Sequence, residues 1–199
     1  MYKLYNKAKT AREVLSEQIK IWEGELSYLE TVSESLSRVS CEDDITEIRD
    51  ELYRAGYGAR LRGYKPKKEI KSEPTRLVTT DGMTLLVGRN NLQNDKLTLR
   101  IAAKTDIWFH TKDIPGSHII LVTEGREPTD RDYTEAAEVA AYFSGATDTV
   151  AVDYTEVRNI KKPQGSKPGF VTYKTNYTAF VKPPSSEKID DLKERAKNG

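Results

Sequence analysis

The stretch DIWFHTKDIPGSH, Asp106 to His118, holds one of the two tryptophans of the chain and both of its histidines. Its first residues alternate apolar and polar in a way that suits a strand, and side chains on a strand alternate faces. Asp106, Trp108, His110 and Lys112 then share one face, and Ile107 and Phe109 share the other. A carboxylate, an indole, an imidazole and an ammonium side by side predict an exposed, functional face. The same spacing also fits a strand buried on both faces, with Trp108 in the core and His110 satisfied by a backbone group; alternation alone leaves both open.

Working outward from this strand, the surrounding segments also read as a sheet with helices. RLVTTDGMTLLVG predicts two short strands around Asp81-Gly82, a dipeptide suited to the positive backbone angles of a tight turn. RNNLQNDKLTLRIAAK predicts a helix capped by Asn90 or Asn91. Strands are expected at 107–111, 118–122, 149–154, 170–173 and 177–181. TDRDYTEAAEVAAYFS, 129–144, predicts a helix with a capping residue at its start, an alanine-rich buried face and Gly145 at its end. After Pro184 the chain is polar, with a short helical pattern, and is expected to fray.

The first quarter is different. Leu4, Ala8, Ala11, Leu15, Ile19, Trp22, Leu26, Leu29, Val32, Leu36 and Val39 recur at three- and four-residue steps among polar residues, the pattern of one strand of a coiled coil. Such a seam needs a partner, either a second copy of the chain or an antiparallel helix preceding Met1 in a longer protein. SCEDD then ends it, and Ile45, Ile48 and Leu52 are spaced for a short second helix with Asp43 or Asp44 at its start, closed by Gly56 and Gly58. The basic segment that follows carries Arg60, Arg62, Lys65, Lys67, Lys68, Lys71 and Arg76 against Glu69 and Glu73, and reads as a linker. The expected organisation is a coiled-coil arm at 1–56, a linker at 57–76, a compact mixed α+β domain with a mainly antiparallel sheet at 77–184, and a polar tail at 185–199.

Charge is divided along the 199 residues. Residues 1–56 hold 8 Lys/Arg against 12 Asp/Glu, which leaves 24 against 19 of the totals of 32 and 31 for the remainder. The arm is acidic and the rest basic. A single cysteine, Cys41, excludes an internal disulfide framework, and no apolar run approaches the ~20 residues of a membrane span. With no apolar secretory leader at the start, the cytoplasm is the expected compartment, and membrane insertion is not expected.

Three segments carry candidate chemistry. In the strand, a base stacking on Trp108, with His110 and Lys112 meeting phosphate or base edges and Asp106 orienting His110, suits RNA. In RNIKKPQGSKPGFV, the cations Arg158, Lys161, Lys162 and Lys167 surround Gly165 and Gly169, which permit close backbone approach to a phosphate; a solvated hairpin explains the same residues without a ligand. In GRNNLQND, Arg89, Asn90 and Asn91 stand at a helix start, where anions and base edges can be held, although capping alone accounts for one asparagine. An enzyme is disfavoured. Asp106, His110 and His118 with the distant Cys41 fall short of a zinc ligand set, no nucleophile elbow is present, and neither GxGxxG nor GxxxxGK[ST] occurs. No catalytic residue, metal or cofactor is expected.

DGMTLLVGRNNLQNDKLTLRIAAKTDIWFHTKDIPGSHIIL together with VDYTEVRNIKKPQGSKPGFVTY resembles the NFACT-R domain of the NFACT family. YNKAKTAREVLSEQIKIWEGELSYLETV resembles the returning arm of that family's coiled-coil hairpin, which makes the chain the C-terminal portion of a larger protein. The resemblance implies a role in ribosome-associated quality control on stalled large ribosomal subunits, with tRNA and large-subunit ribosomal RNA as partners. It maps the family's aspartate, tryptophan and histidine onto Asp106, Trp108 and His110, its arginine-asparagine segment onto Arg89, Asn90 and Asn91, and its basic turn onto Lys161 to Gly169; His118 is expected beside them. Members from Gram-positive cocci are also described as surface adhesins that bind host fibronectin, which adds fibronectin as an alternative partner and the cell surface as an alternative location.

Overall fold

In the computed structural model, which describes residues 2–39, 41–60, 63–66 and 73–198, the chain is a helical arm joined to an α+β domain. The arm is α1 (Tyr2–Ser37) followed by α2 (Glu42–Arg54) and a 3-10 turn at Tyr57–Arg60. Only the end of α1 is packed: Tyr28 and Val32 meet Ile48 of α2, with Val39, Leu52, Ala55 and Tyr57 around them. From Tyr2 to Gly24 every side is exposed. The predicted seam is therefore bare, with Leu15, Ile19, Trp22 and Leu26 each more than half exposed. Of the basic linker, Arg62, Lys67, Lys68, Glu69 and Lys71 lie outside the described residues, and Arg76 belongs to the first strand rather than to the linker.

The domain is built on a six-stranded antiparallel sheet in the order β1-β2-β4-β3-β5-β8. Its strands are β1 (Thr75–Val78), β2 (Thr84–Val87), β3 (Ile107–Thr111), β4 (Ile119–Val122), β5 (Val150–Glu156) and β8 (Tyr177–Val181). The β1–β2 turn is closed by Gly82 N–H donating to Thr79 O at 3.0 Å, and only Gly82 takes a positive φ there, so the turn needs one glycine and not two left-handed residues. Between β2 and β3, α3 (Asn91–Lys96) runs into a π-helical turn at Leu97–Ile101, and Asn90 is its cap, accepting from Gln93 N–H at 2.9 Å.

One face of the sheet packs on α4 (Asp130–Tyr142), whose Ala136, Ala137, Ala140 and Ala141 let the helix lie close over Ile107, Phe109, Leu121 and Val152. Thr129 and Asp132 form a reciprocal capping box at its start, and Gly145 follows its end with φ 71°. The same layer contains α5 (Ser186–Asn198), where the sequence predicts a frayed tail. Ile189 and Leu192 are fully buried in this core, and Lys188 pairs with Glu138 of α4. Two apolar residues among charges make a faint helical signal; what fixes α5 is a docking surface supplied by β1 and α4.

The other face is also covered. The π-helical turn and a small antiparallel ribbon, β6 (Ile160–Lys161) with β7 (Thr172–Tyr173), fold over it. The strand expected at 170–173 is thus shortened and lies outside the main sheet, with Phe170 exposed. Leu97, Trp108, Ile120, Val157 and Ile160 form a second core between ribbon and sheet.

Candidate nucleic-acid interface

Because both faces of β3 are covered, the alternation predicted for it is correct but its exposed face is not. Trp108 is 1% exposed. Its ring lies parallel to that of His110 (centroids 5.7 Å apart, 10° between planes), edge-on to His118 at 5.2 Å and tilted against Tyr173 at 5.2 Å. No base can lie flat on it. The indole is a core residue of the smaller layer, and the ring cluster around it holds the ribbon to the sheet.

Asp106 does not orient His110 either. It is buried, and its carboxylate accepts from Ala103 N–H at 2.8 Å, from Thr123 N–H at 2.9 Å and from the Thr123 hydroxyl at 3.3 Å, while its carbonyl accepts from Val157 N–H at 2.9 Å. It ties three connections together at one end of β3. The carboxylate near His110 is Asp153, its partner across the β3–β5 pair. Asp153 is itself held by the Tyr173 hydroxyl at 2.8 Å and the Thr178 hydroxyl at 2.6 Å. Burial, together with Asp153's charge, pushes the Tyr173 phenol well above its ordinary range.

Burial also lowers the pKa of His110, with partial opposition from backbone hydrogen bonds and Asp153, and lowers that of His118 well below the ordinary value, reinforced by the neighbouring His110 and Lys162. His118 Nδ1 bonds the Thr98 hydroxyl at 2.8 Å. At neutral pH both imidazoles are uncharged. They can donate or accept one hydrogen bond at each nitrogen but cannot attract a phosphate by charge, as the sequence predicted for His110.

The cationic loop divides in two. Lys162 is enclosed: its ammonium lies 2.9 and 2.8 Å from the two carboxylate oxygens of Asp95 and donates to Lys167 O at 2.9 Å. Lys167 reaches back to the arm, 3.1 Å from Glu25 and over the rings of Tyr28 and Tyr57 at 5.0 and 5.3 Å. These two lysines fold the loop and dock the arm, and each is already paired with a carboxylate. Lys161 and Lys112 are exposed and make no ion pair among the described residues, and Arg158 is exposed beside Glu156, with which it pairs. Gly169 is close not to a phosphate but to Asn91, whose Oδ1 would lie 2.4 Å from an added Cβ, and its N–H donates to Asp95 at 3.1 Å.

The Arg89-Asn90-Asn91 segment is likewise internal. Arg89 pairs with Asp44 at 3.0 Å. Asn90 donates to Glu47 at 2.6 Å, and Asn91 donates to Thr31 at 2.7 Å and Glu51 at 2.9 Å. Both asparagines are buried. Burial raises the pKa of Glu51, and its hydrogen bonds from Asn91 and Tyr28 oppose that rise. The amides are there because α2 brings buried carboxylates that need donors. This is the weld between arm and domain, and it is not a base-reading surface.

These elements enclose one cleft of about 680 Å³ between α1 and the ribbon side of the sheet. It brings together Asn91, Trp108, His110, Lys112, His118 and Lys167 of the predicted residues; Arg158, Lys161 and Lys162 are not in its wall. Sequence reasoning missed Tyr28, Asp95, Asp153 and Tyr173. Asp153 needed the β3–β5 register, and Tyr28 needed the docking of the arm; neither carries a motif. Among the described residues, no three His, Cys, Asp or Glu side chains gather to hold a metal ion, and no helix is long and apolar enough to cross a membrane.

Fold and site together define an α+β domain welded to a helical arm, with an aromatic and amide-lined cleft at the joint. The chain belongs to the NFACT family: residues 1–71 match the family model for the NFACT N-terminal and middle domains, and residues 74–175 match that for the NFACT protein RNA binding domain. Among curated relatives, the Rqc2 homolog RqcH of Bacillus subtilis is 46% identical over 192 residues, and that of Streptococcus suis 44% over 195, covering 93% and 96% of this chain. The chain spans about a third of their length, 33% and 34%. The solved C-terminal part of the fibronectin/fibrinogen-binding protein from Streptococcus suis superposes with a TM-score of 0.85 at 43% identity, covering 96% of this chain and 76% of that one. The chain is an RqcH-like module that carries the family's RNA-binding domain.

Proposed function

We propose that this module binds tRNA and large-subunit ribosomal RNA as the C-terminal part of an RqcH-like quality-control factor that acts on stalled large ribosomal subunits. The observation that carries the reading is the match of residues 74–175 to an RNA-binding domain on which Lys112 and Lys161 stand exposed, with no ion pair among the described residues. Phosphate contacts from such lysines give affinity without sequence preference, so the domain positions an RNA more than it selects one. The arm adds reach: its bare seam of Leu15, Ile19, Trp22 and Leu26 fits an antiparallel helix from the remainder of a longer protein, or a second copy. No step here is catalytic.

The structural likeness to a fibronectin/fibrinogen-binding protein favours a second reading, in which the same chain holds fibronectin. Binding of the nuclease-treated chain to tRNA, to large-subunit ribosomal RNA and to immobilised fibronectin separates the two. The first reading expects saturable RNA binding that weakens with salt. Retention by fibronectin with no affinity for either RNA at low salt would replace it.

A further inference from the structure

We propose that the cleft between α1 and β3 receives a single unstacked nucleotide of a bound RNA, its base entering beside Gly24 to meet His110 and Tyr173 and its phosphate remaining at Lys112. The proposal rests on the RNA-binding reading above and adds a site where the base itself is held.

Four observations support it. The cleft has the size of a small-ligand site, about 680 Å³, larger than one nucleotide needs. Its walls offer what an extruded base requires: aromatic and imidazole surface from Tyr173 and His110, with hydrogen-bonding groups at their edges. His110 is only partly buried and is braced from behind by Trp108, so its ring is held in place at the wall. The Trp108 Nε1–H is buried and has no hydrogen-bond partner among the described residues, which is uncommon for an indole in a folded interior.

A further observation is on the arm. Gly24 lies well inside the 36-residue α1, where glycine weakens a helix relative to alanine. It lines the cleft, and a Cβ added to it would meet nothing within 4 Å. No close packing requires glycine there. A larger side chain would instead project into the entrance, so the glycine keeps the way in open. Lys20, one turn earlier, and Lys112 across from it also line the cleft, placing positive charge where the backbone of an entering nucleotide would pass.

The test uses the intact chain and a short single-stranded oligoribonucleotide, its duplex counterpart, and a set of strands each with one abasic position. Gly24→Phe fills the entrance, and Gly24→Ala is the control for helix stabilisation. The expected result is that Gly24→Phe weakens single-strand binding about tenfold, the scale of one lost base contact, with the salt slope and duplex affinity unchanged, while Gly24→Ala binds like the parent. In the abasic set, one position should lose a comparable amount in the parent and little more in Gly24→Phe, because both remove the same contact. If Gly24→Phe binds every RNA as the parent does, the cleft does not take a nucleotide, and a protein segment becomes its better occupant; the RNA-binding reading then survives on its lysines. If the parent binds neither strand nor duplex at low salt, that reading fails as well.

Discussion

Replacing Trp108 by alanine should cost the chain its second core before it costs any ligand. A buried aromatic side chain removes roughly 150–250 Å² from water, worth about 4–6 kcal/mol at ~25 cal/mol per Å², and a compact unfolded state trims that to about 3–5 kcal/mol. The same range is typical of large aromatic-to-alanine changes in cores that cannot collapse. Trp108 belongs at the upper end, since it is 1% exposed and touches the rings of His110, His118 and Tyr173 as well as Leu97, Ile120, Val157 and Ile160. In urea, at a slope of ~2 kcal/mol per molar, the midpoint should fall by about 1.5–2.5 M. Circular dichroism at increasing urea measures it, with Trp108→Phe as the milder companion. A midpoint shift below about 0.5 M, with RNA affinity lost in the folded protein, would refute the core assignment and return the indole to the surface.

Lys162→Ala should destabilise by about 1–2 kcal/mol and speed amide exchange across 163–170, because it frees the loop from Asp95, whereas Lys161→Ala should leave stability unchanged. Leu192→Ala should cost about 2–5 kcal/mol in denaturant, as for any fully buried leucine, despite lying in a highly charged C-terminal helix. Stability should also fall as pH drops below the ordinary histidine value of 6.5. His118 keeps a depressed pKa in the fold, so the unfolded chain binds the proton first; the benefit is complete above 6.5 and is lost progressively toward the folded pKa. Glu51, with its raised pKa, works in the opposite direction, so the informative measurement is the difference between the parent and His118→Gln at pH 5 and pH 7. A flatter profile in the variant is expected, and identical profiles would contradict the assignment.

Local chemistry was legible where it is local. Thr129 and Gly145 mark the ends of α4, Asp81-Gly82 marks a turn, and the alanine spacing marks a helix face, because each reports a geometry completed within a few residues. The site was less legible because its residues are decided by partners distant in sequence. Lys162 looks like a phosphate ligand until Asp95 is beside it, and Asn91 looks like a base reader until Glu51 and Thr31 take its amide. The face of β3 failed for a related reason. A strand with polar residues on one side reads as half-exposed, and nothing within Asp106–His118 announces that a ribbon at 160–173 will close over it. The same holds for α5, where two buried side chains suffice once β1 and α4 provide the surface. The family resemblance marked which segments matter, while many of their residues build the joint between arm and domain, and Lys112, Arg158 and Lys161 stay exposed.

The salt dependence of RNA affinity, compared between the parent and Lys112→Ala/Lys161→Ala, tests that division most directly. Each phosphate contact to a single strand contributes about 0.7 to the slope of log affinity against log salt, so loss of both lysines should flatten it by about 1.4. Stability should not change, because neither lysine is paired among the described residues. An unchanged slope in the double variant would mean that the RNA is held elsewhere, and that these two exposed lysines are an ordinary solvated surface.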